Sequence, residues 1–175
     1  LFSTILFVSA FYLFFITSKD LMKKTNHPSQ KISHFGFSLL VLAILLNSVF
    51  ADEFSANMKI GDEVKFKNSF IKFKKIETYE KKNYKSIIAD FEIENKKKII
   101  NLNPEIRIYN QPKILTSEAD IKLSFFSDKF LVMNLLKEDD FFNVRYQIKP
   151  FMIWIWISGL LIALGGFLGL IRKFK

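Results

Sequence analysis

The sequence predicts a membrane protein in which three α-helical transmembrane segments carry one inserted all-β domain, a small antiparallel barrel or sandwich. Two observations lead to this class. Apolar residues are concentrated in three blocks that are almost free of charge, at residues 1–18, 32–51 and 150–171. The 98 residues from 52 to 149 instead alternate apolar and polar side chains. Such alternation is typical of strands with one buried face and one face in water.

The composition excludes several classes of protein. Of the 175 residues, only 6 are glycine and 4 are proline, while half are hydrophobic, so collagen-like and disordered chains are excluded. The absence of cysteine excludes a disulfide scaffold, thiol catalysis and a cysteine-bound zinc or iron–sulfur centre held by this chain alone. Leu1 is not a methionine and stands inside an apolar block. We therefore expect the chain to be a fragment of a longer protein.

Each apolar block is predicted to form a transmembrane helix, because a spanning helix needs about 20 mostly apolar residues. The predicted order along the chain is a transmembrane helix at 1–18, a basic loop at 19–31, a helix at 32–51, a β domain at 52–149, a helix at 150–171 and a tail at 172–175. Whether the helix at 1–18 is truncated is left open.

The charge pattern predicts on which side of the membrane each part lies. The loop at 19–31 holds four lysines and one aspartate, and the tail holds three cations and no acid. The domain at 52–149 nearly balances 19 basic with 16 acidic side chains. By the positive-inside rule, the loop and the tail are cytoplasmic and the β domain lies outside. The basic isoelectric point therefore reflects membrane topology, and no nucleic acid is expected as a partner.

A second interpretation of the block at 32–51 is open. Val49-Phe50-Ala51 before Asp52 is similar to the cleavage site of a signal peptide. Signal peptides lead the chain, however, and here another apolar block and a basic loop come first, which favours a retained helix. A mature protein that begins at Asp52 would instead establish cleavage.

About seven or eight short strands are expected between residues 60 and 149. The alternating apolar sets are Val64 and Phe66; Ala89, Phe91 and Ile93; Ile106 and Ile108; Ile121, Leu123 and Phe125; and Val144, Tyr146 and Ile148. Turn-forming residues separate them at 61–62, 81–83, 95–98, 103–104, 111–112 and 138–140, and the lysines at 96–98 are interpreted as a solvated turn. Strands of this length and spacing favour a barrel or sandwich around one modest core.

Residues that could carry chemistry are few. The only histidines, His27 and His34, precede the β domain, so that domain cannot build a Ser–His–Asp triad or a histidine metal site. Two small-xxx-small pairs in the third block, at 159/163 and 165/169, predict close helix packing. Trp154 and Trp156 fit an interfacial aromatic belt at the outer end of that helix, and a haem-facing or quinone-facing role is the alternative.

His34 differs from His27, which is expected to be solvated in the basic loop. His34 stands about one turn inside the second predicted span, where an ionisable side chain needs a partner and is by default a functional candidate. Two interpretations are open: a neutral imidazole bonded to a neighbouring helix or to headgroup water, or a ligand of a metal or haem. Gly36 keeps the adjoining surface small, so a flat macrocycle or another helix could approach.

The last part of the chain carries a series of motifs. They are Asn103-Pro104-Glu105-Ile106-Arg107-Ile108-Tyr109, Thr116-Ser117-Glu118-Ala119, Asp128 to Val132, Val144-Arg145, Lys149-Pro150-Phe151-Met152-Ile153-Trp154-Ile155-Trp156-Ile157-Ser158-Gly159 and Gly165-Gly166. This series resembles the C-terminal end of the CcmF family of cytochrome c-type haem lyases, including the NrfE-like lyases of nitrite reductase assembly. Upstream, His34-Phe35-Gly36 and Ile60-Gly61-Asp62-Glu63 are similar to the family's H-x-G span and to the start of its outer domain.

The resemblance implies a function in cytochrome c maturation at the bacterial inner membrane. It implies that a multi-pass protein with a periplasmic domain takes part in covalent attachment of haem to apocytochrome c, together with a CcmE-type haem chaperone and a CcmH-type partner. It also implies that His34 is an axial ligand of the iron of a transmembrane haem b, which quinol reduces. The second ligand would come from the upstream part of the same haem lyase.

The chain departs from the family pattern in two respects. Phe130-Leu131-Val132 replaces the usual Leu-Tyr-Val, and the Trp-rich haem-handling segment with its two outer histidines is not among these 175 residues. Whether the chain acts as part of an enzyme therefore stays open. The alternative function is a membrane-anchored periplasmic β domain that acts as a non-catalytic binding or assembly module.

Overall fold

The computed structural model describes residues 2–23, 27–95, 98–136 and 141–173. The chain forms two compact units. The first contains residues 1–51, 124–127 and 149–175, and the second contains residues 52–123 and 128–148. The predicted class, apolar helices with an inserted antiparallel β domain, is confirmed.

The first unit is built on three helices: α1 (Phe2–Met22), α2 (Pro28–Phe50) and α3 (Met152–Lys173). Each contains a stretch that is long and apolar enough to cross a membrane, at Thr4–Met22, Pro28–Phe50 and Met152–Arg172. Pro28 at the start of α2 suits a first helical turn, where its missing N–H would have no helical partner. All three helices are therefore candidate membrane spans.

The second unit is a two-sheet β-sandwich. Its strands are β1 (Asp52–Met58), β2 (Glu63–Phe66), β3 (Ser69–Glu80), β4 (Tyr84–Asn95), β5 (Lys98–Leu102), β6 (Glu105–Tyr109), β7 (Leu115–Glu118), β8 (Asp120–Lys122), β9 (Ser127–Leu135) and β10 (Phe142–Pro150). One sheet has the order β1-β10-β9-β8, and the other has the order β2-β3-β4-β6-β7 with β5 also paired to β4. β1 and β10 pair antiparallel from Asp52↔Ile148 to Met58↔Phe142, so the two ends of the inserted domain lie side by side.

The sandwich core draws apolar side chains from both sheets. Phe73 and Phe91, on adjacent strands, stack with their ring centroids 4.3 Å apart. The neighbours of Phe73 along β3 point the other way and are exposed, as the pleat of a strand requires. The fully buried apolar residues of this core are Met58, Ile71, Phe73, Ala89, Phe91, Ile93, Leu102, Ile106, Leu131, Met133, Val144 and Tyr146.

The structure corrects two expectations about the strands. Ten strands are present in the described residues. β1 begins directly after α2, before residue 60 where the sequence-based count started, and nine strands follow residue 60 where seven or eight were expected. The set Ile121, Leu123 and Phe125 is not a buried face: β8 ends at Lys122, and these three residues are 43%, 71% and 51% exposed. The predicted turn at 138–140 and two of the three lysines at 96–98 lie outside the described residues.

Candidate functional site

His34, the residue singled out by the sequence, lies in the second turn of α2. It is the seventh residue of the helix, about 9 Å along the axis from Pro28 at a rise of ~1.5 Å per residue. Its side chain is exposed on the surface of the three-helix unit. The neighbours of α2 determine what can reach it.

One side of α2 is covered by α1. The hydroxyl oxygens of Thr17 and Ser38 lie 2.6 Å apart in a buried hydrogen bond. One turn away, the rings of Phe14 and Phe35 pack with their centroids 5.6 Å apart. The hydrogen bond gives both buried hydroxyls a partner across the contact between α1 and α2.

A second side of α2 is covered by α3, and glycines allow the close approach. A Cβ atom on Gly36 would lie 2.9 Å from Leu161 Cβ, and one on Gly165 would lie 2.2 Å from Ser33 Oγ. The smallness of Gly36 is thus used by a neighbouring helix, one of the two possibilities raised from the sequence. The packing predicted for the pair 165/169 is present, whereas a Cβ on Gly159 would meet nothing within 4 Å.

A third face of α2 carries His34 and is left open by α1 and α3. Gln30, His34, Phe37, Val41 and Ile44 follow one another at alternating spacings of four and three residues, so they share one stripe of the helix. All are exposed except Val41, which is half-buried. The stripe is apolar beyond the first two residues, and we call it the His34 face.

The His34 face fits one side of a haem site. A haem iron takes axial imidazole ligands, and the porphyrin itself supplies the other ligands, so a single histidine is sufficient on one side. An apolar surface beside the imidazole suits a macrocycle, which is large and mostly hydrophobic. Among the described residues there is no group of three or more His, Cys, Asp or Glu side chains that could hold a metal ion.

The other residues noted in the sequence have contacts of a different kind. His27 is exposed before the first turn of α2, and its Nδ1 lies 3.1 Å from Nη1 of Arg172 at the end of α3. Trp154 donates a hydrogen bond from Nε1 to the carbonyl oxygen of Phe125 at 3.1 Å. Trp156 is 70% exposed.

A polar network on the outer face of the six-stranded sheet was not predicted. Arg107 on β6 forms an ion pair with Glu105 at 2.7 Å, and Ser86 on β4 donates a hydrogen bond to the same carboxylate at 2.6 Å. The guanidinium also lies 5.4 Å from the centre of the Tyr84 ring. The hydrogen bonds from Arg107 and then Ser86 hold the pKa of Glu105 below its usual value.

This network links β4, β6 and β7, and the Arg107 guanidinium is already paired with carboxylates. Arg107 is also 3.9 Å from Glu118 on β7, so two carboxylates surround one guanidinium. The spacing of Glu105 and Arg107, two residues apart on a strand, is the sequence signal that could have placed both on one face. The partners on β4 and β7 depend on strand pairing, which the spacing does not reveal.

Comparison with known proteins identifies relatives of both units. Residues 49–150 match the family model described as the CcmF C-terminal beta-sandwich. The cytochrome c-type biogenesis protein CcmF of Pseudomonas aeruginosa is 27% identical over 89% of this chain and 26% of its own length. The protein ccl1 of Rhodobacter capsulatus is 35% identical over 64% of this chain and 17% of its own length, and NrfE of Escherichia coli is 28% identical over 78% of this chain and 25% of its own length.

A solved structure shares the fold. The protein described as Cytochrome c Heme Lyase CcmF superposes with a TM-score of 0.64 at 17% identity, over 78% of this chain and 23% of that chain. The chain spans about a quarter of the length of the curated relatives that it matches first, at 26%, 28% and 24%.

Proposed function

Because the chain belongs to the CcmF family, we propose that it provides the C-terminal portion of a cytochrome c haem lyase, contributing a haem b ligand and a periplasmic domain to covalent haem attachment. The family match across residues 49–150 carries this proposal. The remaining catalytic groups would belong to the upstream part of the same lyase.

His34 is the proposed axial ligand to the iron of haem b. Its imidazole is exposed on a helix face that neither α1 nor α3 covers, and Phe37 and Ile44 provide apolar surface beside it. A neutral imidazole is a good iron ligand, and its second nitrogen can be oriented by a hydrogen bond. The opposite ligand would come from the upstream part, packed along the His34 face.

The proposed location is the bacterial inner membrane, with the β domain in the periplasm. The contact of His27 with Arg172 brings the start of α2 and the end of α3 to one end of the helical unit. Lys31 lies in the first turn of α2, and Lys19 and Lys23 lie at the end of α1, which leads into α2. A single positively charged end supports a cytoplasmic orientation for that end.

The proposed role of the β domain is to receive the partners of the reaction. Its charged outer faces are suited to docking of soluble periplasmic proteins, here a CcmE-type haem chaperone, a CcmH-type protein and apocytochrome c. In the alternative function, the same domain would bind partners without any haem on the chain.

Spectroscopy of two histidine variants tests the ligand assignment. The chain is co-expressed with the upstream part of a CcmF relative, and the purified complex is examined in the reduced and oxidised states. We expect a six-coordinate, low-spin haem b spectrum. His34→Ala should abolish that spectrum or convert it to a five-coordinate one, because removal of an axial ligand opens the iron.

The matched control is His27→Ala, which removes the other exposed histidine and should leave the spectrum unchanged. Added imidazole should partly restore the six-coordinate signal of His34→Ala. A His34→Ala complex with full, unshifted haem b absorbance would contradict the ligand assignment. A complex without haem in any variant would favour the non-catalytic module.

A further inference from the structure

A short uncharged loop between β8 and β9 is held against the first turn of α3. Its residues 124–127 belong to the same compact unit as the helices. The carbonyl oxygen of Phe126 accepts a hydrogen bond from the amide of Phe151 at 2.9 Å, and that of Phe125 accepts the bond from Trp154 Nε1 at 3.1 Å. The rings of Phe125 and Trp154 meet edge to face at 4.8 Å.

The attachment of this loop constrains the backbone of the chain that enters α3. Phe151 has a φ of 60°, in the left-handed region that residues other than glycine seldom adopt. Such a conformation persists where surrounding contacts enforce it, and the hydrogen bond to Phe126 is one of these contacts. The loop is therefore fixed to the first turn of α3 by hydrogen bonds.

The loop contains no charged residue, and both of its aromatic rings are exposed. Phe125 is 51% exposed and Phe126 is 64% exposed, and the two rings also contact each other at 5.0 Å. On α3, Trp156 lies two residues after Trp154, so it faces nearly the opposite side of the helix and is 70% exposed. These residues form an aromatic collar around the start of α3, which we define as Phe125, Phe126, Trp154 and Trp156.

The length of the candidate span in α3 predicts the level of the collar relative to a membrane. The candidate span in α3 has 21 residues, about 30 Å at ~1.5 Å per residue, which matches the thickness of the hydrocarbon layer. Its first turn is thus at one surface of the layer. The end of α2 is tied to the same level, because Asn47 Nδ2 donates a hydrogen bond to the Pro150 carbonyl oxygen at 2.5 Å.

We propose that residues 124–126 form a membrane-interface anchor, in which the phenyl rings of Phe125 and Phe126 insert between phospholipid headgroups and the upper part of the acyl chains. Tryptophan concentrates at this depth in membrane proteins, and phenylalanine side chains of interfacial segments bury at the boundary between headgroups and acyl chains. The occupant is lipid because the loop belongs to the same compact unit as the three candidate membrane spans, and Phe50 at the end of α2 is also 57% exposed. The anchor would fix the point at which the chain returns from the β domain to the membrane.

Site-directed spin labelling measures the depth of the loop directly. The chain has no cysteine, so Phe126→Cys can carry a single nitroxide in the full chain reconstituted into phosphatidylethanolamine–phosphatidylglycerol vesicles. Ile99→Cys is the matched control, because Ile99 on β5 is 62% exposed against 64% for Phe126. Leu164→Cys, at an exposed position within α3, reports the hydrocarbon layer.

The measured quantity is the accessibility of the nitroxide to oxygen divided by its accessibility to a nickel chelate. Oxygen enters lipid and the chelate stays in water, so a high ratio indicates a position in the membrane. We expect the ratio at residue 126 to exceed that at residue 99 severalfold and to lie below that at residue 164. Phe125→Cys should give the same result and serves as an independent reading if Phe126→Cys does not fold.

Three results would overturn the anchor. A ratio at residue 126 equal to that at residue 99 would place the loop in water. Exclusion of both reagents at residue 126 would mean that protein covers the loop. A low ratio at residue 164 would mean that α3 does not cross the bilayer. None of these readings involves haem, so they are independent of the assignment of His34.

Discussion

The contact between α2 and α3 depends on Gly165, and one added methyl group there should loosen it. A Cβ atom on Gly165 would lie 2.2 Å from Ser33 Oγ and 2.7 Å from both the Ser29 carbonyl oxygen and the Ser33 amide nitrogen. The hydroxyl can rotate away, but the backbone atoms cannot. Since non-bonded atoms in contact rest at about 3.5–4.0 Å, the helices must separate by up to ~1 Å. Overpacking of this kind costs about 1–3 kcal/mol.

Gly166→Ala provides the matched control for Gly165→Ala. A Cβ atom on Gly166 would meet nothing within 4 Å. Both variants replace a helical glycine by alanine, which favours the helix by about 1 kcal/mol, so this gain cancels between them. We expect Gly165→Ala to be less stable than Gly166→Ala by about 1–3 kcal/mol in thermal or detergent-induced unfolding followed by circular dichroism.

A disulfide reporter measures the separation of the helices independently. A Cβ atom on Gly169 would lie 3.8 Å from the Cβ of Ser29, which is a usual separation for a disulfide. With no native cysteine, Ser29→Cys together with Gly169→Cys should cross-link rapidly in the otherwise unchanged chain and in Gly166→Ala, and slowly in Gly165→Ala. Equal cross-linking rates and equal stabilities for the two alanine variants would refute the reasoning.

Three further predictions concern the β domain and the topology. Burial raises the pKa of Tyr146 to about 12, and the buried hydroxyl has no hydrogen-bond partner. Tyr146→Phe should therefore leave the free energy of unfolding unchanged or raise it by at most ~1–3 kcal/mol. A clear loss of stability would contradict this prediction. The lowered pKa of Glu105 means that its interactions stabilise the fold above the usual carboxyl pKa of 4.5 and are lost as the pH falls through the lowered value. The melting temperature of Glu105→Gln should therefore lie furthest below that of the unchanged chain near pH 7, and the two melting temperatures should converge in acid. A difference in melting temperature that does not change with pH would exclude this linkage. In intact cells, an impermeant maleimide should label Asn83→Cys and spare Lys23→Cys, and labelling of Lys23→Cys alone would reverse the topology.

The helices and most of the strands could be predicted because their signals are local. An uncharged block of about 20 residues predicts α2 wherever the block occurs in a chain. Likewise, the alternation of Val144, Tyr146 and Ile148 with polar residues predicts β10, and the first two are fully buried. β1 could have been found in the same way, since Phe54, Ala56 and Met58 alternate with polar residues.

The misinterpreted segment shows where local patterns are insufficient. Ile121, Leu123 and Phe125 have the same period-two spacing as a buried strand face, yet the strand ends at Lys122 and Phe125 packs on Trp154. In a protein with membrane spans, apolar side chains can be exposed to lipid, so hydrophobicity alone does not distinguish a core residue from a surface residue. The hydrogen bond between Ser86 and Glu105 was missed because the two residues are 19 positions apart in the sequence and lie on different strands.

The segment from Lys149 to Trp156 combines several structural tasks, and this accounts for its distinctive composition. Pro150 ends β10, whose pairing with β1 keeps the two ends of the inserted domain adjacent. The carbonyl of Pro150 accepts the bond from Asn47, which ties the end of α2 to the start of α3. Trp154 then holds the Phe125 loop through its indole N–H, while Trp156 faces outward. Each of these contacts needs its own side chain or carbonyl within eight consecutive residues, so the motif has a structural explanation that requires no catalytic role for either tryptophan.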